Sequence, residues 1–571
     1  MFDSFRNVDN TVKVSRVKVA KVRRIREIQV ASMKSTIPLQ QFKKCIILFM
    51  VGMICTLLSY AIYIINPLKL IIEYNLQLRE NSAIYSIWEK PPVDVFIKVY
   101  IFNITNPNEF LKGTEKLKLE EVGPYVYQEF LENTNVTFND NGTITYIPRR
   151  TVFFVPELSK SDPKKDFVTV PNIPMLGITS ALYDSGFFIN YPFTQLINMI
   201  GSEPILNITA YDYLWGYDDT LVKLATDILP SYFNFRKFGL LDRMYDEGQN
   251  IININIRKND DMRDENGRYL SIETYNGSPG LSNWGYREEE DNKTYPENTI
   301  CNRIRGASEG TMFPPNLDKR AVFRVFRKAF CRTLPIVFKK EVVTEDGIPC
   351  YLYVMSEDFL DPPNENPDNE CYCRKIKKCH RKGLSDLTAC YFNIPAAVSL
   401  PHFLNGDSSL INDVEGLHPD PEKHATQVLI QPDIGIAVKV NSRIQTNLVM
   451  YDTQYNSKVK PFNNIVIPLF WTDLMIPSLK SDLLFLIKII VKILPITQTV
   501  VMYFLMIIGV TLITLSLTAS IWKFNQHREQ QFDFDRRDSA DLRIPLGYGQ
   551  NTTIHILSNN EKIKSRSDLY S

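Results

Sequence analysis

The chain has 571 residues, 44% of them hydrophobic and 23% charged, with 65 Lys and Arg against 64 Asp and Glu. That balance excludes a disordered chain and a uniformly basic nucleic-acid binder. At roughly 100 to 200 residues per domain the length suggests three or four soluble domains, but two apolar runs near opposite ends make this a membrane protein.

Residues 1–44 carry 11 basic side chains against Asp3, Asp9 and Glu27, a net charge of +8, which predicts a cytoplasmic tail. Its basic stretch Lys13 to Arg26 either lies on anionic lipid headgroups or, more simply, is a solvated topology determinant. The run Cys45 to Ile65 is 21 residues without a charge, enough to cross about 30 Å of hydrocarbon as a helix. It predicts a transmembrane helix over 45–66. The run is too long, and starts too far in, for a cleaved signal peptide, so it reads as a signal anchor.

Residues 45–522 carry a net charge of −8, as expected of an outer segment, and 67–494 form the predicted ectodomain. Runs at Val93 to Ile104, Thr143 to Val155, Val322 to Phe330, Gln427 to Val440 and Ile444 to Tyr451 read as strands between Pro, Asn, Asp and Gly turns. Ile178 to Phe188 and Phe193 to Ile200 read as helices with apolar faces. No internal repeat of 20 to 50 residues is apparent. The expectation is an α+β fold with one large antiparallel core and helical insertions.

Six Asn-x-Ser/Thr sequons, at Asn103, Asn135, Asn141, Asn207, Asn276 and Asn292, fall in the first half of this segment. As a group they support an outer, glycosylated location, although Pro279 weakens Asn276. Asn551 also fits the pattern but lies on the predicted cytoplasmic side. Of nine cysteines, Cys45 and Cys55 sit in the first span, and Cys301, Cys331, Cys350, Cys371, Cys373, Cys379 and Cys390 crowd together outside. An oxidising compartment makes disulfides the default. The rival is a zinc site drawn from Cys371, Cys373, Cys379, His380 and Cys390. Six paired cysteines allow 15 connectivities, and spacing does not choose among them.

The second span is predicted over 495–522, around the uncharged run Val500 to Ile521. The tail 523–571, with 8 basic and 7 acidic residues, returns to the cytoplasm.

Candidate chemistry fails on context. Gly306-Ala-Ser-Glu-Gly310 matches a nucleophile elbow, but Arg303 and Arg305 precede it and Pro314 and Pro315 follow, so Ser308 reads as a loop residue. Between His418 and His424, Pro419 and Pro421 forbid the helix that aligns zincin ligands, and the segment reads as a turn. Acidic pairs such as Asp218 and Asp219, or the run Glu288 to Asp291, read as solvated faces. No phosphate-cradling loop is present, so no enzyme activity, catalytic residue, cofactor or metal is expected. Two spans around a glycosylated ectodomain also suit a ligand-gated channel, with Thr511, Thr514 and Thr518 as a stripe, but such residues more often pack helices together.

Other motifs carry a resemblance. Asn106-Pro107 with Val122-Gly-Pro-Tyr125, Leu214-Trp-Gly-Tyr217, Phe313-Pro-Pro315, Glu365-Asn-Pro-Asp-Asn369 with Cys371-Tyr-Cys373, Leu400-Pro-His-Phe403, and Gly416-Leu417 with His424 run between the two spans. On these the chain resembles the class B scavenger receptors, the family of platelet glycoprotein IV (fatty acid translocase), lysosomal integral membrane protein type two and the insect sensory neuron membrane proteins. The resemblance implies bridges Cys301 to Cys371, Cys331 to Cys390 and Cys373 to Cys379, with Cys350 a free thiol. It further implies a barrel-like antiparallel ectodomain, a membrane-distal helical bundle from about Asn172 to Ala225, and a hydrophobic tunnel leading toward the bilayer.

Phe187, Phe188, Phe193 and Ile200 are the candidate lipid-capture residues, with packing of the bundle core as their other reading. Where platelet glycoprotein IV has a lysine-bearing loop, this chain reads Ile200-Gly-Ser-Glu-Pro-Ile-Leu206, which argues against recognition of an anionic lipoprotein. Asp541 to Leu546 matches a dileucine sorting signal only loosely. The expected function is a two-pass plasma-membrane receptor, both tails cytoplasmic, that binds lipid (fatty acid, sterol or carotenoid) or lipoprotein particles and passes lipid to the membrane. The alternative is a lysosomal or endosomal trafficking receptor for a protein cargo. A homo-oligomer is compatible with either, and no nucleic-acid partner is expected.

Overall fold

A computed structural model describes residues 39–541, apart from 232, 246–247, 249, 258–266, 290–292, 294, 374–378 and 454. Two compact units are present, one of Met1–Ile65 with Thr499–Ser571 and one of Asn66–Gln498.

In the first unit, helix Leu39–Ile65 contains the first apolar run, and helix Leu494–Asp541 contains the second and continues well past the predicted boundary at 522. Helices cross lipid because they satisfy every backbone group internally, and length and composition qualify Phe42–Ile65 and Ser481–Asp533 as spans. The two pack through small residues. A Cβ on Gly52 would lie 2.9 Å from the Gly509 carbonyl oxygen, and one on Gly509 would lie 2.6 Å from Thr56 Cγ2. Ser59 Oγ donates to the Met502 carbonyl at 2.9 Å and Ser516 Oγ to the Cys45 carbonyl at 2.7 Å, which is how helices associate where no hydrophobic drive separates them from solvent. The hydroxyls of Thr511, Thr514 and Thr518 donate to carbonyls of their own helix.

The second unit contains strands β1 (Val95–Ile104), β2 (Leu119–Asn139), β3 (Thr143–Phe154), β4 (Phe167–Pro171), β5 (Ile205–Thr209), β6 (Tyr217–Asp218), β7 (Lys237–Phe238), β8 (Ile252–Asn255), β9 (Ile272–Tyr275), β10 (Phe323–Arg327), β11 (Arg332–Val343), β12 (Pro349–Met355), β13 (Ser385–Asp386), β14 (Ala396–Ser399), β15 (Gln427–Gln431), β16 (Ile436–Val449) and β17 (Val466–Ile476). Thirteen of them form one antiparallel sheet in the order β10-β11-β12-β15-β16-β17-β1-β2-β3-β8-β9, with β14 paired to β16 and β13 to β14.

The two edges of this sheet are joined by the Gly-x-Ser-x-Gly segment. The Ile272 N–H donates to the Ala307 carbonyl at 2.7 Å on the β9 side, and on the β10 side the Ser308 N–H donates to Arg324 while Ser308 accepts from the Phe326 N–H. Ser308 is therefore a buried element of barrel closure, which removes exposed sheet edges. The sequence reading of a loop gives way to a strand-like bridge, because a short segment between glycines carries no periodicity of its own.

Two runs differ from expectation. Gln427 to Val440 is a hairpin, β15 to β16, turned at Gly435 with φ +70°. A Cβ there would lie 2.0 Å from the Phe313 carbonyl oxygen, so glycine is required both by conformation and by the close approach. Ile178 to Phe188 is broken at Gly186, φ +70°, giving helices Ile173–Ala181 and Phe187–Met199. Asn172 caps the first by accepting from the Met175 N–H. With Ala210–Trp215, Thr220–Ile228 and Leu240–Tyr245 these helices make a bundle over one end of the barrel.

Strand β16 gives the long axis of the unit. Val438, near its start, packs with Ile72, Leu483 and Ile487 where the chain enters and leaves the unit, whereas the Val449 carbonyl at its end accepts from Ser180 Oγ of the bundle. The bundle therefore lies at the far end of the barrel.

Disulfides join Cys301 to Cys371, Cys331 to Cys390 and Cys373 to Cys379, so these sulfurs are not available to zinc. The first two close loops of 70 and 59 residues, each restraining the unfolded chain by about 4 kcal/mol in the loop-entropy picture. Cys350 is a free thiol, 2% exposed, and burial pushes its pKa up to about 12, which makes it inert.

Candidate functional site

Three cavities follow one another inside the barrel. The first, about 60 Å³, lies under the bundle between Ile173, Phe238, Phe392, Leu448 and Phe470. It shares Met244, Ala329 and Phe330 with the second, about 130 Å³, which is lined by Ile97, Phe313, Phe326, Ile336 and Met355. That one shares Glu129, Gly310, Arg327, Val440 and Leu474 with a third of about 320 Å³, which reaches Pro91, Ile436, Ile476 and Leu483 at the end where the chain enters and leaves the unit. Period-two alternation along the strands puts apolar side chains on the interior face, and closure of the sheet turns that face into a lined space.

Charged groups interrupt the apolar lining at the junction of the second and third cavities. Arg150 bridges Glu129 and Glu309 with nitrogen to oxygen distances of 3.6 Å each, all three side chains being buried. Tyr245 Oη donates to Glu129 at 2.7 Å, and Tyr146 Oη donates to Glu309.

The four candidate capture residues do not share one surface. Phe187 and Phe188 are 50% and 90% exposed, beside Ile189, Tyr191 and Met199 (82%), while Phe193 and Ile200 turn inward and pack on the core. The acidic residue of the loop after Ile200, Glu203, pairs with Lys458 at 2.8 Å.

Among the sequons, Asn135, Asn141, Asn207 and Asn276 are exposed. Asn103 is half-buried in β1 and its Oδ1 accepts from the Thr169 N–H at 2.8 Å. Asn292 lies outside the described residues.

A constellation the sequence reading missed joins Glu121, His402 and His424. His402 Nε2 is 2.9 Å from Glu121 Oε2, which also accepts from Trp471 Nε1 at 2.8 Å. The His402 and His424 rings stack at 4.4 Å. Both Nδ1 atoms accept backbone N–H donors, from His418 at 3.1 Å and Asp420 at 2.9 Å. Each neutral ring therefore carries its proton on Nε2, the atom that would have to face a metal. Metal-bound histidines instead donate their second N–H outward, so this donor set opposes a metal and fits a packed hydrogen-bonded cluster.

Burial, and then His402, lowers the His424 pKa to about 4. Burial raises the Glu121 pKa, but the hydrogen bonds from His402 and Trp471 outweigh it and hold the carboxyl below its ordinary value. Glu121 and His402 are 281 residues apart, beyond any local pattern. The Leu400 to Phe403 and His424 motifs were the available signal.

The motif residues quoted for the resemblance likewise have structural work. Asn106 holds the 106–118 loop through Lys116 and Lys118, Trp215 Nε1 donates to Tyr127 Oη at 2.9 Å, and Asn369 donates to the carbonyls of Phe359 and Asp361 while accepting from Arg332.

The comparisons with known proteins agree with this architecture. Scavenger receptor class B member 1 from Sus scrofa is 28% identical over 424 residues, covering 74% of this chain and 78% of that protein. Lysosome membrane protein 2 from Homo sapiens is 30% identical over 384 residues, 66% of this chain and 73% of that protein. The family model of the CD36 family matches residues 45–520. The two spans, the large antiparallel unit between them and the match over most of the length lead to one conclusion: the chain is a non-enzymatic membrane receptor that belongs to the CD36 family.

Proposed function

We propose that this receptor binds lipid or lipoprotein outside the cell and conducts single lipid molecules through the barrel interior to the membrane. The observation that carries this reading is the series of cavities from the bundle end to the end where the chain enters and leaves the unit. Lipids are poorly soluble, and an apolar path keeps each CH₂ out of water, a gain of about 0.8 kcal/mol per group. The exposed Phe187, Phe188 and Met199 form an apolar patch suited to capture at the bundle surface. We place the receptor in the plasma membrane with both tails cytoplasmic and glycans on the exposed Asn135, Asn141, Asn207 and Asn276. Asn103, half-buried within β1, is the poorer acceptor.

The test is native mass spectrometry with lipid extraction on the full-length protein in nanodiscs, followed by transfer of labelled lipid from donor vesicles. Co-purifying lipid and transfer above background are expected. A correctly disulfide-bonded protein that neither holds nor transfers lipid favours the second reading, a lysosomal or endosomal receptor that uses the same aromatic patch for a protein cargo.

A further inference from the structure

Helix Pro67–Asn75 turns an apolar face away from the unit. Asn66, the first residue of the unit, has φ +46°, which breaks the chain from the preceding helix, and its side chain caps the new one by accepting from the Lys69 N–H at 3.3 Å. Gln498, the last residue of the unit, accepts from the Leu68 N–H at 3.0 Å and donates to Asn66 Oδ1 at 3.1 Å. The two chain ends of the unit are therefore held together, and this helix starts beside them.

The helical repeat puts Pro67, Leu70, Ile71 and Tyr74 on one face, with no charge among them. Leu70, Ile71 and Tyr74 are 52%, 59% and 59% exposed. The opposite edge packs inward: Ile72 and Leu76 join the cluster that holds Leu483, Ile436 and Ile476, three residues lining the third cavity. Glu73 also turns inward and accepts from Asn316 Nδ2 at 3.1 Å. Cations flank the outward face, with Lys69 exposed beside it and the Arg79 guanidinium 3.8 Å from the Tyr74 ring centre.

We propose that helix Pro67–Asn75 lies in the headgroup region of the outer leaflet, with Leu70, Ile71 and Tyr74 against the first acyl carbons, and so seats the base of the unit on the bilayer. Chain continuity selects this occupant. Asn66 directly follows Ile65, the last residue of the first uncharged run, and a helix of nine residues stays within about 14 Å of that point at 1.5 Å per residue. The other chain end agrees: Ile493, Leu494 and Ile496, just before Gln498, are also exposed, and the charge that precedes them is Lys492. An apolar helix face with a tyrosine, bordered by lysine and arginine that reach the phosphates, is the composition of an interfacial helix. The proposal needs the two spans but not the lipid-conduit reading.

The experiment puts a fluorescent reporter on that face, Tyr74→Trp, in full-length protein that also carries Trp522→Phe to remove the tryptophan beside the second span. The protein is reconstituted in nanodiscs of phosphatidylcholine brominated either near the headgroup or near the chain end. Bromines near the headgroup should cut the added emission about twofold, as expected for a face about 5 to 10 Å deep at the headgroup boundary. Chain-end bromines should act less, and aqueous iodide should leave the added emission unchanged. Quenching by iodide in place of bromine puts the helix in water and overturns the proposal. So does protection from both quenchers, which means that protein, such as a second copy of this chain, covers the face. Stronger quenching by chain-end bromines overturns it as well, by placing the helix inside the hydrocarbon core. Ile71→Trp is a second reporter on the same face and decides the matter if Tyr74→Trp disturbs folding through the Arg79 contact.

Discussion

At the scale of single residues, the histidines make this receptor's stability depend on pH. His424 is 5% exposed and its pKa is lowered to about 4, first by burial and then by the neighbouring His402. Its protonation would require Nδ1, which faces the Asp420 N–H. Unfolded, the same group titrates near 6.5. Between these values the unfolded chain binds the extra proton, so this contribution is complete above about pH 6.5 and is lost as pH falls toward 4.

The loss expected by pH 5 is about 2 kcal/mol. Glu121, whose carboxyl is held low, contributes in the same direction but at lower pH. Thermal melts of the full-length protein at pH 7 and pH 5 should show a fall in Tm that is smaller in His424→Asn, which keeps an acceptor for Asp420. An equal fall in both proteins would remove His424 as the cause.

At the scale of elements, two close approaches decide how pieces meet. Gly435 turns β15 into β16 with its Cα against the Phe313 carbonyl. Gly435→Ala combines positive φ with a clash against backbone, and a loss of about 3 kcal/mol is expected, read as a lowered Tm. A Tm unchanged within a degree would mean that the hairpin relaxes freely. In the membrane unit, Gly52 and Gly509 let the helices touch. Gly509→Leu should separate them, measured as a lower inactivation midpoint in detergent. Ser516→Ala, which deletes one interhelical hydrogen bond, should cost only about 0.6 kcal/mol. If the two variants behave alike, backbone proximity is not what holds the pair.

At the scale of the whole molecule, the proposed conduction of lipid through the barrel requires the cavity junction to stay open. Val440 lines the second and third cavities, and Val440→Trp should block the passage at an overpacking cost of about 1 to 3 kcal/mol. Lipid transfer should drop severalfold while particle binding at the bundle surface persists. Transfer at the wild-type rate would argue for a route outside the barrel.

Much of this organisation was legible beforehand. The two spans follow from uncharged length, and the antiparallel core from alternating runs. The glycine turns at Gly186 and Gly435 were not, because an apolar stretch reads as one element until tertiary packing forces a positive φ. The inward-facing Phe193 and the exposed Phe188 could not be told apart either, since each is an aromatic in an apolar helix.

By itself, the sequence determined the membrane topology, the mixed α and antiparallel β character, the crowding of cysteines outside and, through its motifs, the family. These depend on local hydrophobic length, strand periodicity and residue identity, which are written in order along the chain. Only the tertiary structure decided that Ser308 closes a barrel, that the barrel holds a series of cavities and that Glu121 meets two histidines. Each of these joins residues far apart in the chain, and proximity in space is a property of packing that no local pattern encodes.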